Sequence, residues 1–297
     1  MTQALMTVQE LAKYLSLNEK KIYALIKRGD IPCTRITGKW LFPKKSIDQW
    51  IDEDIRGKKP LDKTENITIM GSHDLAIDIL ESEVIEHFPQ LVVLSAHVGS
   101  VKGLVHLQRG SSHMAGIHLL DPETKEYNLP FVPKYLPKAE TVVVHFLDRE
   151  QGFMVQPGNP LKVKAFEDLT RPDVRFINRQ EGAGTRQLLD YHLQRLNIEG
   201  WQIRGYERCV STHTEVALAV RNGEADVGLG LKAAATAFGL NFIPITKERF
   251  DFVITKAHFY TEPIQEILEV IRSEHFRYRV DRMGGYDTRD SGRVIAW

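Results

Sequence analysis

The sequence predicts an α/β body of two lobes with parallel-type sheets, preceded by a small helix-turn-helix head. Three observations carry that prediction. Residues 1–53 read as two short capped helices, a hairpin and a third helix. The remainder repeats a strand–turn–helix, turn–helix–glycine–strand pattern at an offset of 113 residues. Charge also divides unevenly: residues 1–60 hold 12 Lys and Arg against 7 Asp and Glu, and residues 61–297 hold 27 against 32. A head at +5 and a body at −5 confine attraction for a polyanion to the head.

In the head, Thr7-Val8-Gln9-Glu10 is a capping box opening a helix with Val8, Leu11, Ala12 and Leu15 on one face. Ser16 and Leu17 make a tight turn. Asn18 caps a second helix, Glu19–Arg28, with Ile22, Leu25 and Ile26 inward, and Gly29-Asp30 ends it before Pro32. Two short helices so joined form a helix-turn-helix. CTRI and KWLF flank Thr37-Gly38, a two-residue hairpin turn, and a third helix runs from 44 to about 52 with Ile47, Trp50 and Ile51 inward. The second helix starts at Asn18 and turns Lys20, Lys21, Tyr23, Lys27 and Arg28 outward, which suits its first turn to a major groove. Arg35, Lys39 and Trp40 on the hairpin would flank the groove against the backbone. Three-helix modules also serve as protein docking units, and exposed lysines are ordinary. The ordered combination favours double-stranded DNA as the partner, and a homodimer on paired half-sites.

The stretch TVQELAKYLSLNEKKIYALIKRGDIPCTRITGKWLFPKKSIDQWI resembles the excisionase-type helix-turn-helix, a relative of the winged MerR group. The resemblance covers the whole head and implies a winged DNA-binding domain. Ser16 departs from the glycine that the family usually carries in the turn.

Residues 54–65 are charged, contain Gly57 and Pro60 and lack periodicity, so they read as a linker to a body at 66–297. The repeat aligns Gly71-Ser72 with Gly184-Thr185, Ser100 with His213, and Gly110 with Gly223. Ligands of such sheets sit beyond the carboxyl ends of the strands, where four helix starts near Ser72, Ser100, Thr185 and His213 would converge. Each brings free N–H groups and the positive end of a helix dipole. Hydroxyls at Ser72, Ser100, Thr185 and Thr212 would add neutral donors, beside His73 and the backbone at Gly184. Arg186 would add a charged fork, unless it is spent on Glu181 or Asp190. Any one Ser or Thr is an ordinary N-cap; the convergence of four is what points to a small anion.

Between the lobes, one strand is expected at 141–147 and another at 152–155, with a return at 248–256. Two extended crossings make a hinge. The lobes would then hold about 66–147 with 255–297, and about 150–247.

LQRGSSHMAGIHLLDPETKEYN, REQGFMVQPGNP, NRQEGAGTRQLLD, GEADVGLG and FRYRVDRMGGYD together resemble the type 2 periplasmic-binding-protein-like domain. That domain occurs behind excisionase-type heads and fused to molybdopterin biosynthesis proteins. The resemblance covers about 66–297 and implies molybdate or tungstate as the ligand, with no further cofactor. His73 stands where simple oxyanion binders often have a small residue.

Other function classes find little support. QEGAGTRQLLD lacks the lysine of a P-loop and, with Gln187 in place, the third glycine of a dinucleotide fingerprint. Ser72-His73-Asp74 are adjacent on a turn, whereas catalytic triads are spatial. His106, His113 and His118 fall in no zinc framework, and His113 and His118 read as packed residues flanking a strand. No enzyme activity is expected. The start lacks a signal peptide, no stretch reaches about 18 apolar residues, and Cys33 and Cys209 read as reduced thiols, so a cytoplasmic protein is expected. Two alternatives stay open: an architectural DNA-binding factor without a ligand, or a molybdopterin-associated protein holding a larger metabolite.

Overall fold

The computed structural model describes residues 5–29, 31–55 and 64–296, and the chain divides into two compact units, Met1–Thr64 and Glu65–Trp297. Asp30 and most of the segment expected as a linker lie outside the described residues.

The first unit contains β1 (Leu5–Thr7), α1 (Val8–Tyr14), α2 (Glu19–Arg28), β2 (Thr34–Ile36), β3 (Lys39–Pro43) and α3 (Lys44–Ile55). The capping box forms: the Thr7 N–H donates to Glu10 Oε2 at 2.7 Å, and Glu10 N–H donates back to Thr7 Oγ1. Asn18 Oδ1 accepts from Lys21 N–H at 2.9 Å, and Gly29 closes α2 at φ 75°. Ser16 turns the chain between the helices in the left-handed region (φ 55°), which explains why a glycine would suit that position. Thr37 and Gly38 both have positive φ, the hand that fits a two-residue hairpin. One element was not expected. Leu5–Thr7 pairs with β3 to give the order β1-β3-β2, too short a strand to show alternation before the helix cap begins. Leu11, Ile22, Phe42 and Ile47 form the buried core.

The second unit is one ten-stranded sheet with helices on its faces. Its first lobe runs β4 (Glu65–Gly71), α4 (Leu75–His87), β5 (Leu91–His97), α5 (Ser100–Gln108) and β6 (Met114–Ile117). Then β7 (Thr141–Val155) leads to the second lobe: β8 (Phe176–Arg179), α6 (Gly184–Arg195), β9 (Cys209–Val210), α7 (His213–Arg221), β10 (Val227–Leu231) and α8 (Lys232–Ala237). β11 (Asn241–Thr255) returns antiparallel to β7 along its whole length, from Asn241 opposite Val155 to Thr255 opposite Thr141. The chain finishes with α9 (Lys256–Phe259), α10 (Glu262–Arg272), α11 (Glu274–Asp281), β12 (Tyr286–Asp287) and β13 (Val294–Ala296). The last helices bury Ile264, Ile267 and Phe276 with Ile77 and Leu80 of the first lobe. The sheet order is β5-β4-β6-β11-β7-β10-β8-β9, parallel within each lobe and antiparallel around the shared pair.

Two sequence expectations are corrected. The strands expected at 141–147 and 152–155 are one 15-residue strand, because Arg149 and Gln151 find partners inside the fold and need no loop. The repeat keeps its offset of 113 only in its second half: α5 and α7 start at Ser100 and His213, Gly110 and Gly223 stop them at φ 69° and 71°, and β6 and β10 follow at Met114 and Val227. In the first half α4 and α6 start at Leu75 and Gly184, because Asp74 caps α4 and leaves Ser72 on the connecting turn. Ser72 is therefore not a helix start.

Candidate functional site

The carboxyl ends of the parallel strands of both lobes meet over the shared pair, and a small cluster of polar residues is buried there. Two helix N-termini face each other across the lobes. Neither α5 nor α6 has a side-chain cap. Gly99, before α5, approaches so closely that a Cβ on it would lie 3.0 Å from Gly182 O, and a Cβ on Gly184 would lie 2.5 Å from the His118 ring. Only glycine at these two positions allows this approach. The other two helix starts expected to bind an anion are already occupied. Asp74 caps α4 by accepting from Ala76 N–H, and Thr212 caps α7 in a box with Glu215, whose carboxylate takes the Ser211 and Thr212 N–H groups.

Arg149, central on β7 and fully buried, joins the two carboxylates of the cluster. Its Nε donates to Glu248 Oε1 at 2.6 Å, and its Nη1 donates to Asp74 Oδ2 and to His73 O. Burial opposes the charge on Arg149, but Glu248 and Asp74 outweigh it and hold the guanidinium above its ordinary value. Burial likewise works against Glu248, yet Arg149 and His118 bring its carboxyl down to about 2. Tyr286 OH donates to the second Asp74 oxygen.

Glu248 anchors a directed chain. Its Oε2 lies 3.1 Å from His118 Nδ1, and His118 Nε2 lies 2.8 Å from Ser72 Oγ. Burial keeps His118 neutral, and an ionised carboxylate can only accept, so Nδ1 carries the proton and Nε2 accepts from Ser72. Ser72 Oγ in turn lies 3.1 Å from Ser100 Oγ, which accepts the His118 backbone N–H. The hydroxyl protons thus run Ser100 to Ser72 to His118, away from the cleft. Neither serine is the free donor that the sequence suggested. Thr185 differs: its Oγ1 accepts from Gln151 Nε2 at 3.0 Å and keeps its own proton to give.

On the second lobe, Arg179 ends β8 with 2% exposure. Its Nη2 donates to Ser211 O at 2.8 Å, while Nε and Nη1 find no partner among the described residues. Burial, with Arg149 nearby, pushes its guanidinium down to about 9, still protonated at neutral pH. His213, at the start of α7 and 0% exposed, has neither ring nitrogen partnered among the described residues. Burial and the two arginines hold it neutral. Arg149 Nη2 and Gln151 Oε1 are also buried and unpartnered. The His213 N–H donates to His73 Nδ1 at 3.3 Å, and the His73 ring meets His97 edge-on at 4.6 Å.

The sequence-derived site residues therefore separate. Ser72, His73, Ser100, Gly184, Thr185 and His213 are buried in the cluster. Thr212 is taken up by its cap. Arg186, expected as the cleft's charge, is instead bound to Asp190 at 3.1 Å and lies over the Tyr206 ring at 4.0 Å, one helical turn being the shorter reach. The sequence reading gave Asp74 and His118 no part in the site and did not single out Arg149, Arg179, Glu248 or Gln151, although these six carry the charge of the cluster and its hydrogen bonds. A signal existed. Arg149 and Gln151 alternate in a strand flanked by apolar runs, which puts both on one face, and polar residues on a buried face need partners. In the first unit, Lys20, Lys21, Tyr23, Lys27 and Arg28 are exposed along α2, and Asn18 is its cap. Arg35 lies 5.4 Å from the Trp40 ring with Lys39 exposed beside it.

Among the described residues no group of three or more His, Cys, Asp or Glu is placed to hold a metal ion, and no helix is long and apolar enough to cross a membrane.

Comparison with known proteins adds to this geometry. Residues 82–272 match the PBP superfamily domain, and residues 5–54 match a helix-turn-helix domain. The chain is 30% identical over 303 aligned residues to the uncharacterized protein YvgK of Bacillus subtilis, covering 97% of each. Its fold is similar to a substrate-binding protein assigned to a phosphate ABC transporter, with bound phosphate, from Clostridium perfringens. That match has a TM-score of 0.54 at 12% identity and covers 78% of this chain and 100% of the other. It is also similar to the regulatory domain of Synechocystis PCC6803 CcmR in complex with 2-PG, with a TM-score of 0.52 at 15% identity over 69% and 94% of the two chains.

Proposed function

Because the chain belongs to the PBP superfamily and carries a helix-turn-helix domain ahead of that fold, we propose that it is a ligand-responsive DNA-binding regulator whose body closes on a small oxyanion. One observation carries the ligand half of this reading: Arg179 is a buried guanidinium with two nitrogens unpartnered among the described residues, in a body where the N-termini of α5 and α6 have no side-chain cap. A buried guanidinium with unmet donors costs several kcal/mol, so acceptors brought by a ligand would stabilise the closed lobes. Asp74 and Glu248 both bind Arg149, which leaves Arg179 as the guanidinium whose donors an anion would meet. The Thr185 hydroxyl, Arg149 Nη2 and backbone N–H groups of both helices would complete its coordination.

An anion that requires donors from both lobes binds the closed body far better than an open one, and that difference is what can bias a second equilibrium. Here the second equilibrium is DNA binding through α2 and the hairpin, in the cytoplasm and on paired half-sites. Molybdate and tungstate are the ions that the resemblance of the sequence implies.

Calorimetry with molybdate, tungstate, sulfate and phosphate, followed by DNA-binding titrations with and without any ion that binds, tests the proposal. It expects heat with at least one oxyanion and a changed affinity for DNA. Heat with none would remove the oxyanion. DNA binding unmoved by a bound ion would remove the regulation.

One observation favours a second reading. Ser72, His118 and Glu248 stand in the order of nucleophile, base and orienting acid, at 2.8 and 3.1 Å. Covalent labelling of Ser72 by a serine-directed phosphonate would make the body a hydrolase; the regulator reading expects no labelling.

A further inference from the structure

The unpartnered atoms of the cluster are of two kinds, and only one kind asks for an anion. Arg149 Nη2, Arg179 Nε and Arg179 Nη1 are donors. Gln151 Oε1 is an acceptor, fully buried and unpartnered among the described residues. An amide can be placed either way round, so its orientation has to be argued from its neighbours. Gln151 Nε2 lies 2.6 Å from Glu248 Oε1 and 3.0 Å from Thr185 Oγ1. Glu248 also faces Arg149 and His118 and is ionised, so it can only accept. The NH₂ group must therefore be the one facing Glu248, and the amide oxygen is left over. Turning the amide would set two acceptors against each other at 2.6 Å.

The serines of the cluster cannot satisfy that oxygen. Ser72 gives its proton to His118, and Ser100 gives its proton to Ser72. Neutral His213 adds a second unmet acceptor, since one of its two unpartnered ring nitrogens carries no proton. Thr185 can give one proton, but its hydroxyl already receives the Gln151 N–H, on the nitrogen side of that amide. Gln151 Oε1 and one His213 nitrogen are thus acceptors that the described residues leave for a ligand to meet.

We infer that the ligand is an oxyanion carrying its own hydrogen-bond donor, an O–H beside the acidic oxygens, as in hydrogen phosphate or a 2-hydroxy acid. This rests on the oxyanion reading of the cleft and narrows it. Fully deprotonated molybdate, tungstate and sulfate would set lone pairs against Gln151 Oε1 and leave that acceptor unmet. An unmet buried acceptor weakens binding by about fivefold to a hundredfold.

Phosphate and sulfate form the sharpest comparison. At about pH 8, above the second ionisation of a phosphate, both are dianions of similar size and only one keeps an O–H. Calorimetry on the full chain with phosphate, lactate, sulfate, molybdate and tungstate is expected to show phosphate or lactate binding at least about tenfold more tightly than the three proton-free ions. Gln151→Leu should erase most of that preference. Sulfate, molybdate or tungstate binding as tightly as phosphate and lactate would overturn the inference and leave the oxyanion cleft standing. Binding by none of the five would overturn both. The wild-type comparison stands even if Gln151→Leu fails to fold. Where that variant folds, an unchanged preference would remove Gln151 from the assignment.

Discussion

Arg179 offers a test in which stability and binding move in opposite directions. In Arg179→Met an apolar chain of similar reach replaces the guanidinium. One hydrogen bond is lost, from Nη2 to Ser211 O at 2.8 Å, and a bond from a charged donor contributes about 1.5–3 kcal/mol. Against that, a charge with two unpartnered nitrogens is no longer buried near Arg149, and removing such a charge relieves several kcal/mol. The second effect is the larger, so the ligand-free variant should be more stable than wild type by about 1–3 kcal/mol. Ligand binding should fall by about 2–5 kcal/mol, or at least thirtyfold, because the anion loses its main counter-charge. Urea denaturation with and without oxyanion measures both effects in one experiment. Wild type should gain about 2.7 kcal/mol at a ligand concentration a hundred times its Kd, and the variant less than about 0.9 kcal/mol. If Arg179→Met is less stable without ligand and binds as tightly as wild type, Arg179 is a structural residue and the site has been misplaced.

Three further outcomes follow from the same geometry. His73 is 5% exposed, and burial pushes it from 6.5 down to about 3. With a folded pKa below the unfolded one, its stability contribution is complete above 6.5 and is lost as pH falls, by about 2 kcal/mol at pH 5. His213 and His118 are shifted in the same direction, so urea midpoints should drop between about pH 7.5 and 5, less steeply in His73→Gln; an equal slope would exclude His73. Gly184→Ala puts a Cβ 2.5 Å from the His118 ring, and overpacking of about 1–3 kcal/mol should weaken oxyanion binding while leaving each lobe folded by circular dichroism. Unchanged affinity would mean that the ligand does not need this closure. Replacing Lys20 and Lys21 by Ala should weaken DNA binding and reduce its salt slope by about one unit for each phosphate that is no longer neutralised; an unchanged slope would take α2 off the DNA backbone.

Much of the fold was legible because local chemistry dictates it. Thr7 with Glu10, Asn18 with Lys21, and Thr37 with Gly38 each specify their own turn within four residues, whatever the rest of the chain does. Gly110 and Gly223 mark equivalent helix ends in the two lobes by the same local rule. The site was legible only in part, and the division is physical. Helix starts and small residues announce where a cleft lies, and Ser100, Gly184, Thr185 and His213 are all buried there. What each side chain can offer depends on partners far away in sequence. Ser72 has no proton left for a ligand because it donates to His118, which Glu248 orients, 46 and 176 positions further on. Arg186, on the glycine-rich turn, looked like the anion's charge but had Asp190 one turn away. Arg179 closes the short strand β8 and pairs with no described carboxylate. Cross-strand register decides the rest: Glu248 lies opposite Arg149, so the strand pair engages that arginine, whereas Arg179 keeps two donors unmet among the described residues. The same pair fixes the Gln151 amide and, through it, the donor that the ligand has to bring. Ligand identity therefore depends on which protons the shared strands have already claimed, and that is set by pairing across nearly a hundred residues.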